Sequence, residues 1–336
     1  MKQIWPLLVL ISATPLAAAQ PFTIAATKQS YPKLADAVAA IGDKDGTVLI
    51  APGVYHECVV QGAGRITYRA VRPGTAIFDG TICESKAVLV LRGKAATVDG
   101  LVFRHLRTDD GNGAGIRAEH GPLTVVNSVF RDSEEGILGN DDPAADIRID
   151  RSTFSGLGRC DRGLSCAHSI YIGKYRSVTV RHSRFDRGQG GHYVKSRSPR
   201  IDVSDCSFDD VHGHTTNYMI DLPGGATGAI RRNIFVQGKD KENHSAIIAV
   251  AAEGAGNPSA GLKVVGNRAH QVADISWPTA LVVDWSGSKM GIAGNEVGPN
   301  IETYRTQQPP AQRGTIGQIF YYAGKLKQKL RDKVLG

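Results

Sequence analysis

Between His168 and Gly225 the sequence concentrates side chains that can bind an anion and move a proton. They are His168, Tyr171, His192, Tyr193, Lys195, Arg197, His214, Tyr218 and Asp221, with Glu253 further on. An arginine fork matches a carboxylate, and aromatic rings offer flat faces to a pyranose. The set suits an acidic sugar. β-Elimination beside a uronate has three requirements: the carboxylate charge neutralised, the C5 proton removed and the glycosidic oxygen protonated. On residue type, Arg197 is the neutraliser, Lys195 or His192 the base, and Tyr171 or Tyr193 the acid. A basic lysine must be partly neutral; Arg197 pushes its pKa down while Asp221 opposes that, which keeps His192 in contention. His168, Tyr218, His214, Asp221 and Glu253 are then expected to hold substrate. The plainer reading of the same residues is an ion pair between Lys195 and Asp221 beside a stabilising tyrosine ladder.

Such a strip needs elements that line it up. One pattern recurs eight times: two residues two apart, a gap of three, then two more residues two apart. Examples are Leu123, Val125, Ser128, Phe130; Val178, Val180, Ser183, Phe185; Ile201, Val203, Cys206, Phe208; and Gly228, Ile230, Asn233, Phe235. Spacing two is strand periodicity, and the gap of three breaks its parity at one fixed place, as a corner between two short strands would. The last slot falls at 103, 130, 154, 185, 208, 235, 269 and 297, steps of 23 to 34 residues. That is the period of a solenoid of single coils; a four-strand propeller blade is longer, and helices for a βαβ array are missing. Stacking then predicts an aromatic file from Phe103 to Phe235. It also predicts a buried polar ladder through Ser128, Ser152, Ser183, Cys206, Asn233, Asn267 and Asn295, whose members satisfy one another.

A third strand precedes each corner, with inward residues expected at Val88 and Val90, Ile116, Ile137, Ile172, Val194, Ile220, Ile248 with Val250, and Val283. Alternation about Val194 turns Tyr193, Lys195 and Arg197 outward together, with Lys195 and Arg197 ~6.8 Å apart along the strand. Stacked coils should set Tyr171 beside Tyr193 and Met219, and Gly173 beside Lys195 and Asp221. The fold expected is therefore all-β, a parallel β-helix over residues 20–305. An amphipathic helix, Pro32 to Ile41, caps its start, and a basic tail over 306–336, broken at Pro309-Pro310, is helical from Ile316 to Leu335.

Residues 1–19 read as a secretory leader: Lys2, an apolar stretch from Leu7 to Leu16, and Ala17-Ala18-Ala19 before Gln20. No stretch is long and apolar enough to span a bilayer. A secreted or periplasmic location follows, where disulfides form. Of five cysteines, Cys160 with Cys166 and Cys58 with Cys83 are the expected pairs, leaving Cys206 as a buried thiol. The net charge of +8 is concentrated in the tail at Lys325, Lys327, Lys329, Arg331 and Lys333. An acidic polysaccharide fits that bias, and nucleic acid does not fit an exported chain. The acidic loops Asp109-Asp110-Gly111-Asn112 and Asn140-Asp141-Asp142 carry oxygens of the kind Ca²⁺ takes. They lack EF-hand spacing and read as turns, so no cofactor is expected. Oligomeric state is left open.

At GTVLIAPGVYHECVVQGAGRITYRA, residues 46–70, the chain resembles the opening coils of pectin-lyase-like proteins, right-handed parallel β-helices that include polysaccharide lyases, hydrolases, epimerases, esterases and adhesins. Lys195 and Arg197 look like the lysine-plus-arginine pair of the chondroitinase B and alginate lyase group. The resemblance implies a secreted lyase acting on a uronate-containing polysaccharide. Two rivals remain: a hydrolase using Asp221 and Glu253 as paired carboxylates, and a non-catalytic polysaccharide-binding surface protein.

Overall fold

The computed structural model describes residues 20–308. Each coil contributes one strand to each of three sheets, as in Val194–Ser196, Arg200–Ser204 and Ser207–Asp209, before a loop leads to Ile220–Leu222 one rung on. The sheets hold 12, 10 and 10 strands. Pairing is parallel between coils, and only the first strands, Phe22–Ile24 and Ser30–Tyr31, run antiparallel. We call the sheets first, second and third, with Arg200–Ser204 in the first and Val194–Ser196 in the third.

The gap of three is a corner made by one left-handed residue. Gly100, Asn127, Arg151, His182, Asp205, Arg232, Gly266 and Gly294 occupy it with φ between 47° and 74°. That conformation costs an ordinary L-residue roughly 1–2 kcal/mol, yet Arg151, His182 and Arg232 adopt it. The corner N–H is what holds them there: from Gly100 to Gly266 it donates to a carbonyl of the next coil, as from Arg151 to Arg181 and from His182 to Ser204, both at 3.2 Å. One residue further, the polar ladder forms, and its partners differ from expectation. Each ladder side chain accepts the backbone N–H of the preceding coil's ladder residue: Ser128 N–H to Ser152 Oγ at 3.2 Å, Cys206 N–H to Asn233 Oδ1 at 3.0 Å, Asn233 N–H to Asn267 Oδ1 at 3.0 Å. Side chain meets side chain only among the asparagines. Cys206 takes its turn as a buried acceptor and donor, and burial pushes its thiol up to about 12.

The aromatic file runs from Phe103 to Phe235 with centroids 4.7–4.9 Å apart, and extends backwards through Phe78, Tyr55 and Phe22. The helix Leu34–Ile41 buries Leu34, Ala37, Val38 and Ile41 in the same core, and Glu57 accepts the N–H of Leu34 at its start. The expected leader and most of the expected C-terminal tail lie outside the described residues. Both expected disulfides are present, Cys58–Cys83 and Cys160–Cys166.

In the third sheet the register departs from expectation in three coils. Leu89 and Leu91, not Val88 and Val90, take the inward rows of Ile116 and Ala118. Val282, not Val283, pairs with Ile248, and Ile170, not Ile172, pairs with Val194. At Leu89 and Val282 the cause is burial on both faces, whereas Ile170–Ile172 alternates normally and its pairing slips by two residues with parity kept. Ala87–Leu91 and Thr279–Asp284 are buried at every position, so alternation carries no parity there.

Replacing Asn233 by Ala strips partners from buried backbone groups and should cost about 2–4 kcal/mol, at 1–3 kcal/mol per orphaned group. Cys206→Ser restores the residue type of the earlier ladder slots and should shift stability by less than about 1 kcal/mol. Urea unfolding midpoints of the two variants check both.

Candidate functional site

The corrected register changes which residues are neighbours. The outward row of the third sheet runs Arg117, Leu138, Tyr171, Lys195, Asp221, Ala249 and Val283, each paired with the next. Tyr171 therefore lies directly beside Lys195, and Lys195 beside Asp221, where the sequence had set Gly173 against them. Arg197 projects one pleat further along. A second file stands three residues before this row, with the rings of His168, His192 and Tyr218 stacked at 5.0 and 5.6 Å.

Tyr193 does not belong to the strip. The chain bends at residue 193 just before the strand begins, so strand parity does not extend back to it. Its ring is 2% exposed, packed edge-on against Phe185 and Phe208, and its hydroxyl donates to buried Asp210 at 2.7 Å. Asp210 also takes a fully buried ion pair from Lys241. Tyr193 is a core residue and is withdrawn as an acid. His214 pairs instead with Asp240 on an exposed loop.

The remaining residues converge. Lys195 Nζ is 3.3 Å from Asp221 Oδ2 and 3.2 Å from Glu253 Oε1, and Arg197 Nη2 is 2.6 Å from Glu253 Oε2. Arg197 Nε donates to the Tyr171 hydroxyl oxygen at 2.8 Å. The Lys195 ammonium and Arg197 guanidinium stand 5.4 and 5.8 Å from the centroid of the Tyr171 ring, within cation–π range. Exposure grades outward: side chains of Asp221 and Lys195 are 4% and 11% exposed, those of Arg197 and Glu253 31% and 49%.

Burial and charge set the protonation states. Burial pushes the Asp221 carboxyl up to about 6, against the pull of Lys195 and with the help of Glu253. Burial also works to lower Lys195, but Asp221 and Glu253 outweigh it and leave the ammonium pKa raised. For Glu253 the two cations outweigh burial and its pKa falls. Burial holds both His168 and His192 well below the usual imidazole range, reinforced by neighbouring cations. Neutral His168 accepts the N–H of His192 at Nδ1. The His192 Nδ1 sits 3.2 Å from the Tyr218 carbonyl, which can only accept, and its Nε2 lies 3.3 Å from Asp221 Oδ2. Both ring nitrogens of His192 are thus turned to protein groups.

Four further residues belong to this neighbourhood and were not foreseen. Trp285 approaches Tyr218 at 6.4 Å; the slip at Val283 hid it. Asn257 ties its loop to the site by donating to the Arg197 carbonyl at 3.2 Å. Asn243 donates to the Tyr218 hydroxyl at 2.7 Å. Glu135 is buried in the coil before His168, and burial drives its carboxyl well above the ordinary range. None of the four carries a spacing signal, because each arrives from a loop or a fully buried strand.

The acidic loops serve their own backbone. Asp110 accepts from Thr108 and Asn112, Asp141 from the N–H of Lys174, and Asp142 from the N–H of Gly121. Among the described residues, the trio of donors close enough for a metal is Cys160, Cys166 and Glu242, and its two sulfurs are joined in the disulfide.

The sequence matches a family model described as the right handed beta helix region over residues 86–297. No curated protein matches the chain. Among solved structures, one similar in fold is a PL6 family alginate lyase, AlyGC, at 14% identity and a TM-score of 0.46, covering 76% of this chain and 40% of that one. The chain spans less than half of that enzyme's length.

Asp221 should titrate near pH 6 by carboxyl carbon NMR, and Lys195→Met should move its midpoint higher, since Lys195 is what holds it down. With a folded pKa of about 6 against an ordinary 3.8, the folded state binds this proton more tightly than the unfolded chain. The stability that Asp221 contributes is therefore full below about 3.8 and lost as pH rises through about 6. Asp221→Asn should flatten the stability profile across that window.

Proposed function

The chain belongs to the right-handed β-helix family, and from that premise we propose that it is an exported enzyme cleaving an acidic polysaccharide by β-elimination. One observation carries the reading: Lys195 and Arg197, side by side at the Tyr171 ring, together hold a single carboxylate, that of Glu253. A uronate presents the same group beside a ring face. Export rests on the leader-like residues 1–19 and the two disulfides. The helix Leu34–Ile41 serves as the cap of the first coil, and the basic tail as the segment that follows the last.

The geometry supports a different division of chemical roles. Lys195 is held as a cation by two carboxylates, so it joins Arg197 in neutralising the substrate carboxylate instead of acting as base. His192 donates from Nδ1 to the Tyr218 carbonyl, and its buried Nε2, which can only accept, faces Asp221 and not the substrate. Proton transfer then falls to the Tyr171 hydroxyl, fixed by Arg197 Nε. The step calls for Tyr171 as the phenolate, whose oxygen takes the C5 proton. The C5–H electrons form the C4=C5 double bond, the C4–O bond breaks, and the tyrosine returns its proton to the leaving oxygen. Atoms and charge balance with no further reagent. His168, Tyr218 and Trp285 are each less than a tenth exposed and back the cluster from within, so the sugar meets Tyr171, Arg197 and Glu253 instead.

A second reading has one observation in its favour. Asp221 is displaced upward and Glu253 downward in pKa, the split that hydrolases use for acid and base. Asp221 is sealed beneath Lys195, which favours elimination. A protein that only grips polysaccharide would use the same cations and rings.

Incubation with alginate, pectate, hyaluronan and chondroitin distinguishes the three. Elimination gives rising ultraviolet absorbance from the unsaturated uronate; hydrolysis gives reducing ends without it; gripping gives neither but retains the protein on a polysaccharide column. Arg197→Ala and Tyr171→Phe should each lower turnover by roughly 10²- to 10⁴-fold while remaining folded. Unchanged turnover in Tyr171→Phe removes it from the mechanism.

A further inference from the structure

Glu253 lies in the segment between the strands Ile248–Val250 and Lys263–Val265, and its carboxylate bridges Lys195 and Arg197 with one oxygen to each. Its backbone is fixed. The N–H of Glu253 donates to the Pro223 carbonyl at 2.9 Å, and the N–H of Asn257 to that of Gly224 at 2.7 Å. The Asn257 side chain donates to the carbonyls of Arg197 and Gly225. Gly254, at φ 117°, follows in a conformation that side-chain-bearing residues rarely adopt. The segment therefore presents Glu253 from a rigid support, and only the side chain is left to move. That side chain is half exposed, so a rotated carboxylate meets water at once, whereas Lys195 and Asp221 stay buried.

Charge makes the position informative. With Asp221 ionised, Lys195 and Arg197 are balanced by Asp221 and Glu253, and the cluster is neutral. A substrate carboxylate entering beside Glu253 would be a third anion against two cations. One that replaces Glu253 meets the same two cations, with the count restored. Glu253 is the half-exposed, water-screened member of this ion pair, so its exchange is readily reversible.

We propose that Glu253 is an internal stand-in for the substrate's carboxylate: it closes the Lys195–Arg197 subsite in the free protein, and an acidic sugar enters by exchanging its own carboxylate for it. This deepens the reading above and rests on it. Glu253 thereby acts as a specificity-determining residue. A neutral sugar brings no anion to exchange, and for it the subsite remains closed.

The test is binding of D-glucuronate and D-galacturonate, followed by NMR at the Arg197 Nε–H and the Tyr171 ring, with D-glucose as the neutral control. In Glu253→Gln, which keeps the shape and loses the charge, affinity for the uronates should rise roughly two- to fivefold, the span an exposed ion pair supplies. Glucose should shift neither protein. Glu253→Asp, one methylene too short to bridge both cations, should fall between. Matching thermal midpoints establish that the variants are folded. Equal or weaker uronate binding by Glu253→Gln overturns the proposal, as does the absence of uronate binding in either protein. If the wild-type protein yields unsaturated uronate but Glu253→Gln shows no gain in affinity, the exchange fails and the elimination reading stands. If affinity rises but no polysaccharide is ever cleaved, elimination fails and the exchange stands.

Discussion

A coil of this protein cannot bury its inward face by itself, so every coil depends on the one beneath being in register. The hydrogen bonds at the corner enforce that register. The left-handed corner residue donates to the next coil, and the ladder residue after it receives a side-chain acceptor from the next coil, so two fixed bonds flank each turn. Because the corners superimpose, the phenylalanines two residues beyond superimpose as well, in a file with centroids 4.7–4.9 Å apart. The unfavourable φ of Arg151, His182 and Arg232 is the local cost of a repeat that is stable only as a stack.

The same register makes the cluster on the third sheet. Residues from coils 24 to 28 positions apart in sequence become neighbours in one row, and Tyr171, Lys195 and Asp221 meet because Ile170, Val194 and Ile220 stack behind them. A rigid sheet lets a buried carboxylate, a mostly buried ammonium and a half-exposed guanidinium be held at graded depth. Depth then sorts their protonation. Burial raises Asp221 and lowers His168 and His192, while mutual attraction keeps Lys195 and Arg197 charged and Glu253 ionised. The positive groups are thus available at the surface of a cluster whose interior is locked.

Tyr193 and His192 illustrate how closely side-chain role depends on a single bend. They adjoin Lys195 in sequence and share its strand in any periodic reading. The chain turns just ahead of Val194, sending Tyr193 into the core to meet Asp210 and leaving His192 in the ring file with its nitrogens occupied. Of the two tyrosines the sequence offered, packing buries Tyr193 and leaves Tyr171 partly exposed with its oxygen held by Arg197 Nε.

What the amino-acid order determined by itself was everything that repeats. The two-spacing, the parity break, the Ser/Cys/Asn slot and the phenylalanine slot were legible because each coil solves the same local problem with the same residue types. Where a strand is buried on both faces, as at Ala87–Leu91 and Thr279–Asp284, apolar residues fill both parities and the sequence cannot say which side is inside. Only the stack decided that, and with it the pairing of Tyr171 with Lys195, the withdrawal of Tyr193, the bridging of Lys195 and Arg197 by Glu253, and the arrival of Asn257 and Trp285 around the site. Those features come from loops and from contacts between coils, whose geometry depends on the whole solenoid and leaves no period in the chain.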